Sequence, residues 1–370
     1  MTYENSGLTL VTDEVSPGAI RWRSPSNIAL VKYWGKHGDQ LPQNASVSFT
    51  LDSAATDTTL HYQARERLGD GIDLTLYFEG EERQDFGART RTFFQRLLPV
   101  YPFLRQLSFR VDTQNSFPHS AGIASSASGM SALALCLVSL EEALFEPLPD
   151  REAFLTKASY LARLGSGSAS RSVYGSAAVW GKTDACSGSS DEHAVSVADI
   201  LHPVFQTYHD DILLVSRSEK SVSSRAGHGL MEQNPYAPPR YAQANRRVAE
   251  MLGVLKEGDT EKFGQILESE ALTLHALMMS SQPYYTLIEP NTLHVIQRLQ
   301  QYRSETGHPV HFTLDAGPNV HLLYPDSVAE PVKGFIREHL LPYCEDRLYL
   351  ADRVGKGPQQ LEVNTTTLAR

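Results

Sequence analysis

Residues 115–129 read NSFPHSAGIASSASG, a loop rich in proline, glycine and serine that leads directly into a long apolar helix. The start of a helix exposes backbone N–H groups and a partial positive charge, and small residues let a phosphate approach them. Serine hydroxyls add further donors. Two interpretations follow: a cradle for a nucleoside triphosphate, or a helix cap with more serines than one cap requires.

Outward from this loop, the predicted strands and helices are clustered and do not strictly alternate. Apolar residues at helical spacing predict one helix over 124–145 and another over 150–164. Such clustering, with several antiparallel strands, favours an α+β fold. The other predicted helices are 85–100, 241–255, 262–279 and 292–302, and the predicted strands are 28–32, 46–51, 74–78, 107–111, 172–180, 212–216, 310–314 and 320–324.

The length of 370 residues corresponds to two or three domains at about 150 residues each. Residues 184–193 are polar, acidic and rich in glycine and serine, which is typical of a surface loop near a domain boundary. We therefore place the boundary near residue 200. Residues 1–200 form an N-terminal domain that carries the serine loop, and residues 201–370 form a C-terminal α+β domain.

The composition of the chain disfavours some classes of function. The net charge of −10 disfavours a general nucleic-acid binder, so an anionic ligand must be held by locally placed cations. The three cysteines are far apart and lack CxxC spacing, which indicates a reducing compartment and a cytoplasmic protein. The most apolar run, 132–140, is shorter than the ~20 residues that cross a bilayer, so no membrane association is expected.

Two short segments offer cations to an anion. Residues 165–172 read GSGSASRS, in which Arg171 could grip a carboxylate or phosphate with its planar fork; the alternative is a flexible turn with an exposed arginine. Residues 32–36 read KYWGK, where a turn at the glycine could bring both lysines to one anion. The alternative there is a pair of ordinary surface lysines beside aromatic wall residues.

Residues 315–319 read DAGPN between two predicted strands, so Asp315 lies in a hairpin turn. It either stabilises that turn or acts as a carboxylate that takes the proton of a hydroxyl. Residues 175–183, GSAAVWGKT, are not a P-loop because five residues separate the glycines where four are needed. His308 and His311 would point to opposite strand faces, so no site in which protein groups alone hold a metal is expected.

Taken together and in this order, these segments resemble the mevalonate diphosphate decarboxylases of the GHMP kinase superfamily. The anchors are NIA at 27–29, KYWGK at 32–36, NASVS at 44–48, the loop at 115–129, GSGSASRS at 165–172 and DAGPN at 315–319. The resemblance implies a two-domain GHMP kinase-like fold with the active site in the inter-domain cleft. It also implies ATP, Mg²⁺ and mevalonate 5-diphosphate as ligands, and a homodimer.

The implied reaction is phosphorylation of the 3-hydroxyl by ATP, followed by loss of phosphate and CO₂ to give isopentenyl diphosphate. The resemblance assigns Asp315, Arg171 and Lys32 to catalysis, with Asp315 acting on the hydroxyl and Arg171 gripping the substrate carboxylate. It assigns the remaining site residues as follows: Gly122, Ser125, Ser126 and Ser128 bind ATP, and Tyr33, Lys36, Ser166, Ser168, Ser224 and Arg225 bind substrate.

Some alternatives stay open at this point. Ala45 and Ser46 stand where the family commonly has two serines. His37 stands where it often has a basic or small polar residue, and this difference leaves the choice between mono- and diphosphate substrates undecided. A related kinase or decarboxylase acting on mevalonate or its 5-phosphate is the second candidate. A binding protein without activity is disfavoured, because Asp315, Arg171 and the serine loop occur together.

Overall fold

The structure is a computed structural model that describes residues 3–67, 69–118, 123, 125–218 and 222–363, without the side chain of Arg225. Two large sheets, a separate two-stranded hairpin of β-structure and grouped helices organise these residues, and most strand pairs are antiparallel. The α+β class expected from the sequence is confirmed.

Strands and helices do not alternate regularly along the chain. Those up to residue 200 are β1 (Gly18–Val31), β2 (Lys36–His37), β3 (Leu41–Pro42), β4 (Ser46–Ala64), β5 (Asp73–Phe78), β6 (Glu81–Glu82), α1 (Gln84–Arg96), β7 (Leu107–Asn115), α2 (Ser125–Leu144), α3 (Arg151–Gly165), β8 (Ala177–Trp180) and β9 (Ala194–Ser196). Those that follow are α4 (Pro203–Gln206), β10 (His209–Leu213), α5 (Ser224–Gly229), α6 (Ala237–Glu257), α7 (Thr260–Met279), α8 (Pro290–Thr306), β11 (His311–Leu314), β12 (Val320–Tyr324), α9 (Ala329–Phe335), β13 (Tyr349–Leu350) and β14 (Gln359–Leu361).

The first sheet has the strand order β14-β1-β4-β7-β5-β6, and β8 and β9 extend it beside β4. Its centre is the long antiparallel pair of β1 and β4. The register of this pair shifts between Pro25 and Asn27 and again between Ala29 and Val31. Such irregularities bend a strand and redirect its side chains. They lie just before residues 32–36, the first cation-bearing segment.

Helix α2 lies against the first sheet and is buried along most of its length. It is long and apolar enough, by length and composition, to cross a membrane. Its apolar surface is instead covered by β1, β4 and α3. The indole N–H of Trp22 on β1 donates to the Ser139 hydroxyl of α2 at 2.9 Å, which fixes the helix on the sheet. This is the packing of a core helix, and its first turn contacts the central strand β4, where Ser128 lies 2.6 Å from the Thr56 hydroxyl.

The second sheet has the order β11-β12-β10-β13. The predicted hairpin is confirmed, with Leu314 opposite Val320 at the turn. Helix α7 packs on β11 and also reaches the end of β1 in the first sheet. The turn of this hairpin therefore faces the segment that follows β1.

The chain returns to the first sheet at its end. Strand β14 pairs with β1, with Trp22 opposite Gln360. Before it, the Asp352 carboxylate accepts the backbone N–H groups of residues 52, 53 and 54, at 2.7 to 2.9 Å. The domain boundary near residue 200 stays a prediction. Because β14 pairs with β1, an N-terminal domain would have to include β14 as well.

Candidate functional site

The residues after β1 meet the hairpin turn between β11 and β12. The Lys32 ammonium lies 2.9 Å from Asp315 Oδ1, and Lys32 is only 2% exposed. The Asp315 carboxylate is about a quarter exposed, so one side of the pair is accessible to a ligand. Two residues that are 283 positions apart thus form one ion pair between the sheets.

The backbone around this ion pair is held by buried side chains. The Lys32 N–H donates to the Glu270 carboxylate on α7 at 2.8 Å, and Asn44 donates to the Lys32 carbonyl at 3.0 Å. The ring of His275, also on α7, lies 3.0 Å from the Asp315 carbonyl oxygen. Glu270 is fully buried and also binds two arginines of α6, Arg240 and Arg247.

Arg171 lies close enough to Asp315 to feel its charge, and it is almost fully buried, at 2% exposure. Its guanidinium donates to the hydroxyls of Ser46 and Ser48 at 2.6 and 3.0 Å, and to the Asn27 side-chain oxygen at 3.2 Å. No carboxylate pairs with it among the residues that the structure describes. Burial lowers the pKa of Arg171 to about 10, which still leaves it charged near neutral pH.

An arginine held by neutral groups keeps its charge available to a ligand, which suits an anionic substrate group. The interpretation of Arg171 as an exposed residue in a flexible turn does not fit this burial. The residues that orient it, Asn27, Ser46 and Ser48, belong to the sequence anchors but had no assigned role. The motifs contain all three residues, but only their contacts in the structure show that they hold Arg171.

Tyr33 covers Arg171, with the guanidinium 5.6 Å from the ring centroid. The Tyr33 ring also packs edge-on against Trp180 at 4.8 Å. Burial raises the pKa of Tyr33 to about 12, although Arg171 acts in the opposite direction. The phenol is therefore a neutral O–H donor at physiological pH.

Lys36 lies at the start of the β2–β3 hairpin, on the partly exposed side of the same segment. Its ammonium donates to the Gln40 side-chain oxygen at 2.7 Å. The two lysines of the motif thus differ: Lys32 is buried beside Asp315, and Lys36 is accessible. His37, next to it, is exposed.

The serine loop is only partly described. Gly122 lies outside the described residues, as do residues 119–121 and 124. Ser125 is half-buried and Ser126 is exposed at the start of α2, where both hydroxyls are accessible to a phosphate. Ser128 is fully buried and lies 2.6 Å from the Thr56 hydroxyl, which places it inside the helix packing.

The second serine cluster faces the first. The Ser126 and Ser166 hydroxyls are 3.4 Å apart, so the start of α2 and the end of α3 border one space. The Ser168 carbonyl accepts a hydrogen bond from Asn27, which connects this cluster to the residues that hold Arg171. Ser166 and Ser168 are both half-buried and therefore partly accessible.

Ser224 and Arg225 open the short helix α5, which belongs to the second half of the chain. Ser224 is exposed, and the Arg225 side chain lies outside what the structure describes. A Cβ added to Gly227 would lie 2.6 Å from both the Trp34 ring and the Tyr285 hydroxyl. Glycine at this position therefore allows α5 to lie directly against the KYWGK segment.

A phosphate-bearing nucleotide fits the start of α2, because exposed hydroxyls and helical N–H groups converge there. In the described part of the chain, no three His, Cys, Asp or Glu side chains converge to hold a metal ion. A divalent ion at this site would be coordinated mainly by phosphate oxygens, as hard oxygen ligands suit Mg²⁺. These residues therefore fit a nucleotide that binds as its magnesium complex.

Known proteins match the chain over most of its length. Residues 24–194 match the family model of the diphosphomevalonate decarboxylase-like N-terminal domain, and residues 211–366 match that of the mevalonate 5-diphosphate decarboxylase C-terminal domain. A diphosphomevalonate decarboxylase of Gibberella zeae is 30% identical over 331 residues, which cover 84% of this chain and 82% of that protein.

Solved structures agree with these matches. The mevalonate diphosphate decarboxylase of Staphylococcus aureus superimposes with a TM-score of 0.79 at 26% identity, covering 94% of this chain and 99% of the other. A complex of MDDEF with MVAPP, AMPPCP and magnesium gives a TM-score of 0.78 at 28% identity, covering 94% of this chain and all of the other.

Proposed function

Since the chain belongs to the diphosphomevalonate decarboxylase family, we propose that it converts mevalonate 5-diphosphate and ATP into isopentenyl diphosphate, ADP, phosphate and CO₂. The relatives carry the name of this activity, and one matched structure holds MVAPP, an ATP analogue and magnesium. The observation that carries the proposal is the Lys32–Asp315 ion pair near the buried guanidinium of Arg171, which is hydrogen-bonded by neutral side chains and within electrostatic reach of Asp315.

Asp315 acts first, on the 3-hydroxyl. Its carboxylate accepts or orients the hydroxyl proton while the oxygen attacks the γ-phosphorus of ATP and ADP leaves. Lys32 holds the carboxylate in place at 2.9 Å and adds positive charge beside the transferring phosphoryl group. Mg²⁺, when bound with ATP, neutralises charge on the phosphate oxygens.

Arg171 acts in the second step. The C3–O bond breaks and the new phosphate leaves with its electron pair, while the electrons of the bond to the carboxylate form the double bond and CO₂ departs. A guanidinium that is fixed by neutral oxygens orients the carboxylate, because the serine and asparagine partners leave its charge available. Tyr33, as a neutral donor, and Lys36 bind the diphosphate end of the substrate.

We assign the nucleotide phosphates to the start of α2, where Ser125 and Ser126 are accessible. Ser166 borders the same space, 3.4 Å from Ser126. The buried Ser128 contributes by fixing the first turn of α2 on Thr56, and we do not place it in contact with ATP. Gly122 and Arg225 remain in the proposed site on the basis of the sequence motif.

Two further properties belong to the proposal. The cysteines Cys136, Cys186 and Cys344 are unpaired, which supports a cytoplasmic enzyme. A homodimer follows from the family resemblance, and light scattering coupled to size exclusion measures it directly.

Parallel assays with mevalonate, its 5-phosphate and its 5-diphosphate test the function, with ADP, phosphate and CO₂ measured in each reaction. We expect one of each product per turnover with the diphosphate and much slower turnover with the other two. ADP release without CO₂ would indicate a kinase. If the 5-phosphate were turned over at a comparable rate, the assignment of the 5-diphosphate as the substrate would be withdrawn.

A further inference from the structure

His228 is a residue of the site that sequence reasoning did not single out. It lies on α5, in the second half of the chain, and its side chain is buried at 7% exposure. Its imidazole ring lies against Tyr33, with ring centroids 5.0 Å apart, and against Trp34, with centroids 4.3 Å apart. Both contacts are to the segment that carries the substrate-binding tyrosine and lysine.

One ring nitrogen of His228 already has a partner. The backbone N–H of Gly35 donates to Nδ1 at 2.8 Å. A nitrogen that accepts a hydrogen bond must carry a lone pair, so its proton cannot be on Nδ1. Burial, with a smaller contribution from Lys36, holds the pKa of His228 well below its usual range. The ring is therefore neutral and carries its proton on Nε2.

The other nitrogen, Nε2, has no hydrogen-bond partner among the residues that the structure describes. The ring therefore presents one N–H of fixed orientation from a rigid aromatic stack. Lys36 lies close enough to influence its charge state.

We propose that His228 donates its Nε2–H to the diphosphate that Tyr33 and Lys36 bind, and that Gly35 fixes the tautomer which makes this possible. This inference rests on the proposed function, because it takes the substrate anion to lie at the KYWGK segment. A neutral N–H donor orients the diphosphate without adding a second positive charge beside Lys36. A protonated imidazole would be repelled by the Lys36 ammonium. The second half of the chain thereby contributes a specificity contact to a site formed mainly by the first.

Nitrogen-15 NMR of the histidine rings tests the tautomer in the intact protein. We expect the His228 signals, identified by their loss in His228→Gln, to show a neutral ring protonated at Nε2 near pH 7. Addition of mevalonate 5-diphosphate should shift the Nε2–H proton resonance. A ring protonated at Nδ1, or at both nitrogens, would overturn the proposal.

Two matched variants separate the roles of the two nitrogens. The oxygen of His228→Asn can take the place of Nδ1 but offers nothing at Nε2, whereas the terminal amide of His228→Gln can take the place of Nε2. Both lose the ring: His228→Asn keeps the acceptor for the Gly35 N–H and loses the distal donor, and His228→Gln does the reverse. Loss of one hydrogen bond to a charged group weakens binding by roughly tenfold to a hundredfold.

We therefore expect the Kd of His228→Asn for mevalonate 5-diphosphate to rise by about this factor, with His228→Gln closer to wild type. The Kd for ATP should not change, and His294→Gln, an exposed histidine on α8, serves as the control. Equal diphosphate affinity of His228→Asn and wild type would reject the donor. A wild-type protein that fails to bind the diphosphate would reject the proposed function, and this inference with it.

Discussion

Replacement of Asp315 by Asn tests the proposed chemistry, because the change removes the charge and keeps the shape of the side chain. From sequence alone, the exchange should leave the fold intact, since asparagine also favours turns. The structure changes that expectation. Lys32 is 2% exposed, and its ammonium pairs with Asp315 at 2.9 Å, so the variant leaves a buried cation without its counterion.

Breaking a fully buried ion pair costs roughly 3–5 kcal/mol of stability, and the partial exposure of Asp315 reduces this to about 1–3 kcal/mol. The catalytic loss is separate. Removal of a general base predicts a fall in rate of roughly 10²–10⁴. The double variant Lys32→Met with Asp315→Asn removes the unpaired cation, so it should recover stability and stay inactive.

The assay follows ADP and CO₂ release together, with urea unfolding of each variant measured beside it. Both products should decrease equally, because phosphorylation precedes decarboxylation. Asp326→Asn is the control, since Asp326 is an exposed acid whose carboxylate also contacts a side chain, the His209 ring at 2.9 Å. An Asp315→Asn enzyme that phosphorylates the substrate near the wild-type rate while folded would show that the carboxylate serves only the turn and the ion pair.

Three further outcomes are expected. In Arg171→Lys the side chain keeps its charge but cannot reach Ser46, Ser48 and Asn27 together. We expect kcat/KM for the diphosphate to fall by about ten- to a hundredfold while the KM for ATP stays unchanged. An unchanged kcat/KM would mean that another cation holds the carboxylate. Glu270→Gln leaves two arginines without a counterion, so we expect a loss of several kcal/mol in urea unfolding and a lower kcat; wild-type stability would contradict this. Burial, aided by Asp210, raises the pKa of Asp211 to about 6, so its contribution to stability falls as the pH rises from about 4 to 6. Asp211→Asn should therefore melt higher than wild type above pH 6 and lose this advantage below about pH 4; a pH-independent difference would contradict the shift.

The sequence predicted the elements whose signals are local. The helix expected over 124–145 is α2, Ser125–Leu144, because its apolar residues repeat at helical spacing. The hairpin expected at 310–324 is β11 and β12, because turn residues separate two runs of β-branched and aromatic residues. The predicted strand at 28–32 is only the end of β1, which begins at Gly18. Its first half does alternate, with buried Ile20 and Trp22 beside the arginines, but residues 24–26, Ser-Pro-Ser, interrupt the apolar pattern before residue 28.

The contacts between distant residues could not be predicted in this way. Glu270 lies 238 residues from Lys32, and His228 lies 193 residues from Gly35. Each is an ordinary polar residue on a helix, and nothing in its sequence neighbourhood reveals that it binds a backbone N–H of the segment between β1 and β2. The same holds for Ser128, which the motif groups with accessible serines although the rotation of α2 turns it inward.

These contacts hold residues 32–35, which lie between the end of β1 and the start of β2. The backbone N–H groups of Lys32 and Gly35 lie outside the strands, and buried donors without acceptors are costly. Side chains from the second half replace the missing partners: Glu270 accepts from Lys32, and His228 accepts from Gly35. Asp315 binds the Lys32 ammonium from the same side. The segment thus acquires its geometry only when both sheets are in place, so phosphate binding and the placement of the proposed base depend on the same set of contacts.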